Sequence, residues 1–169
     1  IQGGMGVGVS NWELAKAVSK CGYLGVVSGT ALDSVIARRL QDGDPHDHIQ
    51  RAFSHFPVPE MAEKMYARFH RKYARQENET YKLLEMHTAN LSRNAIEMLI
   101  VSNFAEIYLA KEDHDGIVGI NYLEKIQLPT LPSILGAMLA GVDYILMGAG
   151  IPSAIPGIID SLAKGDACS

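Results

Sequence analysis

Cysteine is nearly absent from the chain: there are two, Cys21 and Cys168. A pair so far apart does not make a disulfide framework, so the small stapled secreted folds are excluded. Cys21 lies between a helical pattern and an apolar run and is expected to be a small buried residue. The expected compartment is reducing and cytoplasmic. Long hydrophobic runs are also missing. None approaches the roughly 18 residues of a membrane span, and no basic start, apolar core and cleavage site form a signal peptide, so no membrane partner is expected. The chain opens at Ile1 rather than at a methionine and reads as starting inside a strand. Positive charge is not in excess either. The net charge is −4, which creates no global field for a polyanion, and no nucleic-acid partner is expected. The densest basic stretch, residues 68–75, includes Phe69 and Tyr73 and reads as a solvated helix face. No Gly-x-Ser-x-Gly elbow, Cys-x-x-Cys pair or His-Glu-x-x-His helix is present. His46 and His48 share a loop with Asp44 and Asp47, but their spacing matches no strong metal signature, so no metal is expected; His114, between Asp113 and Asp115, reads as a surface turn.

What the chain does have is 169 residues of which 47% are hydrophobic, enough for one sizeable core. Ile1 and Gln2 read as the tail of a strand, and residues 3–8 are rich in glycine. Ser10 or Asn11 caps a helix with Glu13 in its first turn, Leu14, Ala15, Val18 and Cys21 as its apolar stripe, and Gly22 as its C-terminal stop. Residues 23–27 form an apolar run stopped by Ser28 and Gly29, the pattern of a buried parallel strand. Strand, glycine turn, helix and strand fit within about 30 residues, the size of one βαβ unit.

The pattern then changes. Residues 31–90 show helical periodicity without a convincing strand, broken at residues 42–45 and 57–59 by Gly and Pro. We read residues 34–90 as a helical insertion within a single domain, 1–169. Strand signals resume at residues 98–101, followed by Ser102-Asn103 and a short helix, 105–111. Further strands are expected at 117–120, ended by Asn121, and at 142–147, followed by Gly148. Helices are expected at 131–139, with Pro132 in the first turn and Gly141 as cap, and at 153–164. Alternating strands and helices imply a parallel sheet, and each strand is followed by Gly, Ser or Asn at the end where parallel α/β folds bind ligands. An eight-unit barrel needs about 250 residues. Four or five strands with a large insertion do not close one, so the sheet is open or the chain is part of something longer.

Three motifs carry candidate chemistry. Clustered glycines at Gly3, Gly4, Gly6 and Gly8 let backbone N–H groups approach a planar or anionic ligand, or simply make a tight turn. The second strand ends in Ser28-Gly29 rather than an acidic residue, which argues against a dinucleotide fingerprint, and the lysine of a phosphate-cradling P-loop is absent. Asn121 offers donors and an acceptor and could serve a flavin edge or its own backbone neighbours. Gly148-Ala149-Gly150 leaves room for a ligand or makes a plain turn.

Taken in order, these segments resemble one family. Ile1-Gln2-Gly3-Gly4-Met5-Gly6 is similar to the first-strand motif of nitronate monooxygenases, formerly 2-nitropropane dioxygenases. The run from Gly22 to Gly29, Val118-Gly119-Ile120-Asn121 and Gly141-Val142-Asp143-Tyr144-Ile145 resemble later segments of the same family, whereas residues 34–90 do not. The resemblance implies an α/β fold, the N-terminal part of an FMN-binding TIM (β/α)8 barrel. It also implies cofactor contacts at Gly4, Met5, Gly6 and Asn121, and the third motif adds Gly148 as a candidate. The family's main phosphate loops and its active-site histidine come from later strands, so catalytic residues are expected beyond residue 169 and this chain alone is expected to be inactive. The implied activity is oxidation of a small nitronate through flavin and oxygen. A flavin-dependent enoyl reductase of fatty-acid or polyketide synthesis is the rival enzyme, and a non-catalytic α/β binding module the rival from another class. Open sheet edges in a partial barrel would favour homo-oligomers.

Overall fold

A computed structural model describes residues 1–166. Cys168 lies outside them. Helix α1, Trp12–Lys20, starts where Asn11 Oδ1 accepts the N–H of Leu14 at 3.1 Å, which makes Asn11 rather than Ser10 the cap. Gly22 takes φ +81° just past its end, a conformation that favours glycine. The chain then enters strand β1, Gly25–Ser28, which is buried throughout. Here glycine is obligatory for a packing reason: a Cβ on Gly25 would sit 2.0 Å from the carbonyl oxygen of Ala15, so α1 lies directly on the strand. Cys21 is exposed, contrary to expectation. It is the C-cap of α1, where the apolar stripe has already left the core.

Helices α2 (Leu32–Gln41), α3 (His48–Ser54) and α4 (Pro59–Phe69) follow, with a short 3-10 turn at Pro45–Asp47. Residues 34–90 contain these helices and no strand; residues 70–92 run without regular structure. That stretch is tied down by polar contacts. Gln41 Nε2 donates to the Lys82 carbonyl at 3.2 Å, and the Arg75 guanidinium lies 4.1 Å from the Tyr81 ring centroid. The basic stretch 68–75 is not one helix face, because α4 ends at Phe69 and Phe69 itself is buried.

The largest departure from the sequence reading is α5, Arg93–Lys111, which replaces the strand expected at residues 98–101 and absorbs the helix expected at 105–111. Ser92 caps it by accepting the N–H of Ala95 at 3.1 Å. A short apolar run followed by Ser-Asn looks like a strand end, but such a run cannot be told from a fully buried helix by periodicity. From Glu97 to Ala110 the helix is buried on nearly every side, because it lies between two layers. Met98, Val101, Phe104 and Leu109 pack against α2, α3 and α4, while Ile107 and Ala110 join the cluster beneath the sheet. Ser102 and Asn103 are fully buried inside it.

Strand β2, Val118–Leu123, helix α6, Thr130–Leu139, strand β3, Tyr144–Gly148, and helix α7, Ile155–Lys164, complete the described residues. The three strands pair in parallel in the order β1-β2-β3. The fold is therefore α/β with parallel β/α units, but three strands are present among the described residues rather than four or five. Ile1 and Gln2 do not form a strand; Gln2 donates its N–H to the Leu24 carbonyl at 3.0 Å and the pairing goes no further. Asn121 does not end its strand either, since Tyr122 and Leu123 continue it. Among the described residues no helix is long and apolar enough to cross a membrane.

Glu106 joins the layers. It is fully buried on α5, accepts the N–H of Trp12 at 2.9 Å and pairs with Arg39 of α2. Burial pushes its carboxyl above the usual range, against the opposing pull of the Arg39 guanidinium.

Candidate functional site

Strand alternation separates two faces. Val27, Val118, Ile120 and Tyr122, with Ile145 and Met147, belong to the cluster under α1, α5 and α6. The register then places Val26, Gly119 and Tyr144 in one row of the opposite face, and Ser28, Asn121 and Leu146 in the next. Tyr144 is 54% exposed, so this face is open at its β3 side.

The N-terminal segment crosses the β1 side of the same face. Gln2 Oε1 accepts the N–H of Val26 at 3.0 Å, and the Ser10 carbonyl accepts the N–H of Ser28 at 2.8 Å. Between these anchors Gly4 is pressed against the strands. A Cβ there would fall 2.7 Å from the Val27 carbonyl oxygen, 2.9 Å from Val26 Cγ1 and 3.0 Å from Asn121 Cβ. Gly4 and Asn121, more than a hundred positions apart, are thus in contact. The Asn121 carboxamide is half-buried and makes no hydrogen bond among the described residues.

The other residues singled out from the sequence are placed differently. Met5 is 89% exposed, and its N–H is used inside the loop, donating to the Gly3 carbonyl at 3.0 Å and to Ser10 Oγ at 3.2 Å. The Gly6 carbonyl accepts from the N–H groups of Val9 and Ser10, so this part of the glycine run is a turn closed on itself. Gly148 pairs with Leu123, one row beyond Asn121 and Leu146, and its carbonyl accepts the N–H of Glu124 at 2.8 Å. A Cβ on Gly148 would meet only ordinary contacts, at 3.6 and 3.8 Å, so packing alone does not demand glycine there. Asn103, expected on the same rim because it follows an apolar run, is instead inside α5, where its Nδ2 donates to the Leu99 carbonyl at 2.8 Å.

Titratable groups do not gather on this face. Tyr122, on the helix side, has its phenol pushed well above its ordinary value by burial. His46 and His48 have ring centroids 5.5 Å apart, and His48 packs edge-on to Trp12 at 4.9 Å. Burial, then the charges of Arg51 and His46, lower the pKa of His48. No group of three metal-ligating side chains occurs among the described residues. Sequence reasoning missed the contact of Asp33 with His87, whose Nε2 lies 3.1 Å from Asp33 Oδ2; the two are far apart in the chain and neither sits in a motif.

Compared with known proteins, the chain matches no family model, no curated protein and no solved structure.

Proposed function

We propose that the chain supplies the flavin-ring surface of an FMN-dependent (β/α)8-barrel oxidoreductase of the nitronate monooxygenase type, acting on a small nitronate. The observation that carries this reading is the half-buried Asn121 carboxamide, without a hydrogen-bond partner among the described residues and in contact with Gly4 on the sheet face that α1, α5 and α6 leave uncovered. A carboxamide presents a donor and an acceptor side by side, which suits the alternating edge of an isoalloxazine ring. When bound, FMN would supply the two-electron chemistry, with oxygen as the terminal acceptor. The chain's own residues would position and shield. Asn121 would orient the ring, Gly4 would keep the backbone close to it, and Tyr144 and Leu146 would exclude water. Met5 and Gly6 contribute less than the resemblance implies, because their backbone groups are already engaged in the loop. The exposed edge of β3 favours association between copies.

The test uses the full-length protein. Stoichiometric FMN with oxygen-consuming nitronate oxidation and no nicotinamide requirement is the expected result. Nicotinamide-dependent reduction of an enoyl thioester would replace this reading with the reductase one, and flavin binding without turnover would replace it with a binding module.

A further inference from the structure

A cavity of about 500 Å³ opens where the C-terminal ends of β1 and β2 meet the extended segment that precedes α5. None of Gly4, Met5, Gly6, Asn121 or Gly148 lines it, so it is separate from the surface described above. Ligand pockets of this size are usually apolar with a few placed polar groups. Leu99 and Ile126 are among the apolar walls here. Asp33, Glu85, His87 and Ser133 are among the polar ones, and neither lysine nor arginine lines the cavity. Ala31, in the same wall, is held at φ +57°, the kind of backbone strain that gathers at ligand sites.

The two carboxylates differ in what matches their charge. Glu85 faces Arg68 at 3.1 Å and accepts the hydroxyl of Ser92, so it is already paired. Asp33 is 4% exposed. Its one side-chain contact among the described residues is His87 Nε2 at 3.1 Å, and no hydrogen bond to the carboxylate accompanies it. Ser133 is 3% exposed, and its hydroxyl has no hydrogen-bond partner among the described residues either. A carboxylate and a hydroxyl withdrawn from water without hydrogen bonds are costly to leave so, and both stand in the wall of one cavity. What they lack is a positively charged donor. An ammonium group brings three N–H donors and no acceptor, and its bond to a carboxylate is charge-assisted. An anionic ligand would instead meet two like charges.

We propose that this cavity binds a primary amine with an apolar body, its ammonium group on the Asp33 carboxylate with Ser133 Oγ as a second acceptor, and its aliphatic part against Leu99 and Ile126. The probe is octylamine, with octanol as the uncharged control and octanoate as the control of opposite charge. Each is titrated into the full-length protein by calorimetry and methyl NMR, in about 150 mM salt so that general attraction to the negative chain is screened. Octylamine is expected to bind at least tenfold more tightly than octanol and to shift the methyl signals of Leu99 and Ile126, and octanoate to bind more weakly than either. Asp33→Asn keeps the shape and removes the charge; it should bring octylamine down to the affinity of octanol and leave octanol unchanged. Because Asp33 is buried and its variant could fail to fold, Ile126→Trp provides a second test. Ile126 is 39% exposed, so the larger ring should fill the cavity without unfolding the chain and abolish binding of octylamine and octanol alike. Equal affinity for the amine and the alcohol, octanoate binding as tight as octylamine, or full octylamine affinity in either folded variant, would overturn the proposal.

Discussion

The hydroxyl of Tyr122 lies 2.9 Å from Asn103 Oδ1 and 3.0 Å from the carbonyl oxygen of Ser133, so one proton on β2 is shared between acceptors on α5 and α6. The orientation of Asn103 is set by its own Nδ2, which donates to the Leu99 carbonyl. The contact ties the sheet to both helices that cover it. By holding Tyr122 on the helix side, it also keeps the neighbouring Asn121 on the other face.

Tyr122→Phe removes the hydroxyl and leaves Asn103 Oδ1 buried without a donor. An unsatisfied buried acceptor costs about 1–3 kcal/mol. Urea unfolding should show a loss in that range with an unchanged denaturant slope. A stability equal to the wild type would mean that the hydrogen bond is replaced by water or is not formed.

Asn121→Ala is expected to weaken FMN binding by the full-length protein by about one to two orders of magnitude, the equivalent of about 1–3 kcal/mol. Quenching of flavin fluorescence in a titration measures it. Since the Asn121 carboxamide has no partner within the described residues, the same variant should unfold at nearly the wild-type urea concentration. A stability loss with unchanged flavin affinity would assign Asn121 a structural role instead.

Gly136→Ala tests the seam between α5 and α6. Alanine is intrinsically better in a helix by about 0.8–1 kcal/mol, which argues for stabilisation. The tertiary contact argues the other way, because the added Cβ would fall 2.1 Å from the Ile100 carbonyl oxygen. Overpacking of this kind costs about 1–3 kcal/mol, and here the obstacle is backbone rather than a flexible side chain. Net destabilisation is expected in thermal unfolding; an increase in Tm would show that the helices separate easily.

Glu106 makes stability depend on pH in a direction opposite to the usual carboxylate. Its folded pKa is raised above the unfolded value by burial, so its contribution is fully present below the unfolded value of about 4.3 and is lost as pH rises through the folded one. Against Glu106→Gln, the wild type should therefore lose relative stability as pH rises above the unfolded value of about 4.3. Arg39→Met should be more severe at pH 8 than at pH 5, because it leaves a charged carboxylate buried and unpaired. Breaking a buried pair in this way costs about 3–5 kcal/mol. A wild-type minus Gln difference that stays flat from pH 4 to 8 would contradict the assignment.

Local chemistry was enough to read much of the chain. A helix cap at Ser10 or Asn11, Gly22 and Gly141 as stops with φ +81° and +74°, and the apolar runs of β1, β2 and β3 all follow from short-range rules. The alternation of strand and helix from Val118 to Lys164 was enough to imply a parallel sheet. Each depends on neighbours a few residues away, so the sequence by itself determined them.

What only the tertiary structure decided are the features in which distant segments compete for the same space. Residues 98–101 are helical because α5 is buried between two layers, and a helix buried in nearly every direction carries no apolar period by which to recognise it. Cys21 is exposed because α1 buries Ala15 and Ser19 and the core does not follow the apolar stripe to its C-cap. The contact of Gly4 with Asn121, the clasp of Arg39 on Glu106 and the meeting of Asp33 with His87 join residues dozens of positions apart. Closure of such long loops depends on how the intervening helices pack, which no window along the chain contains.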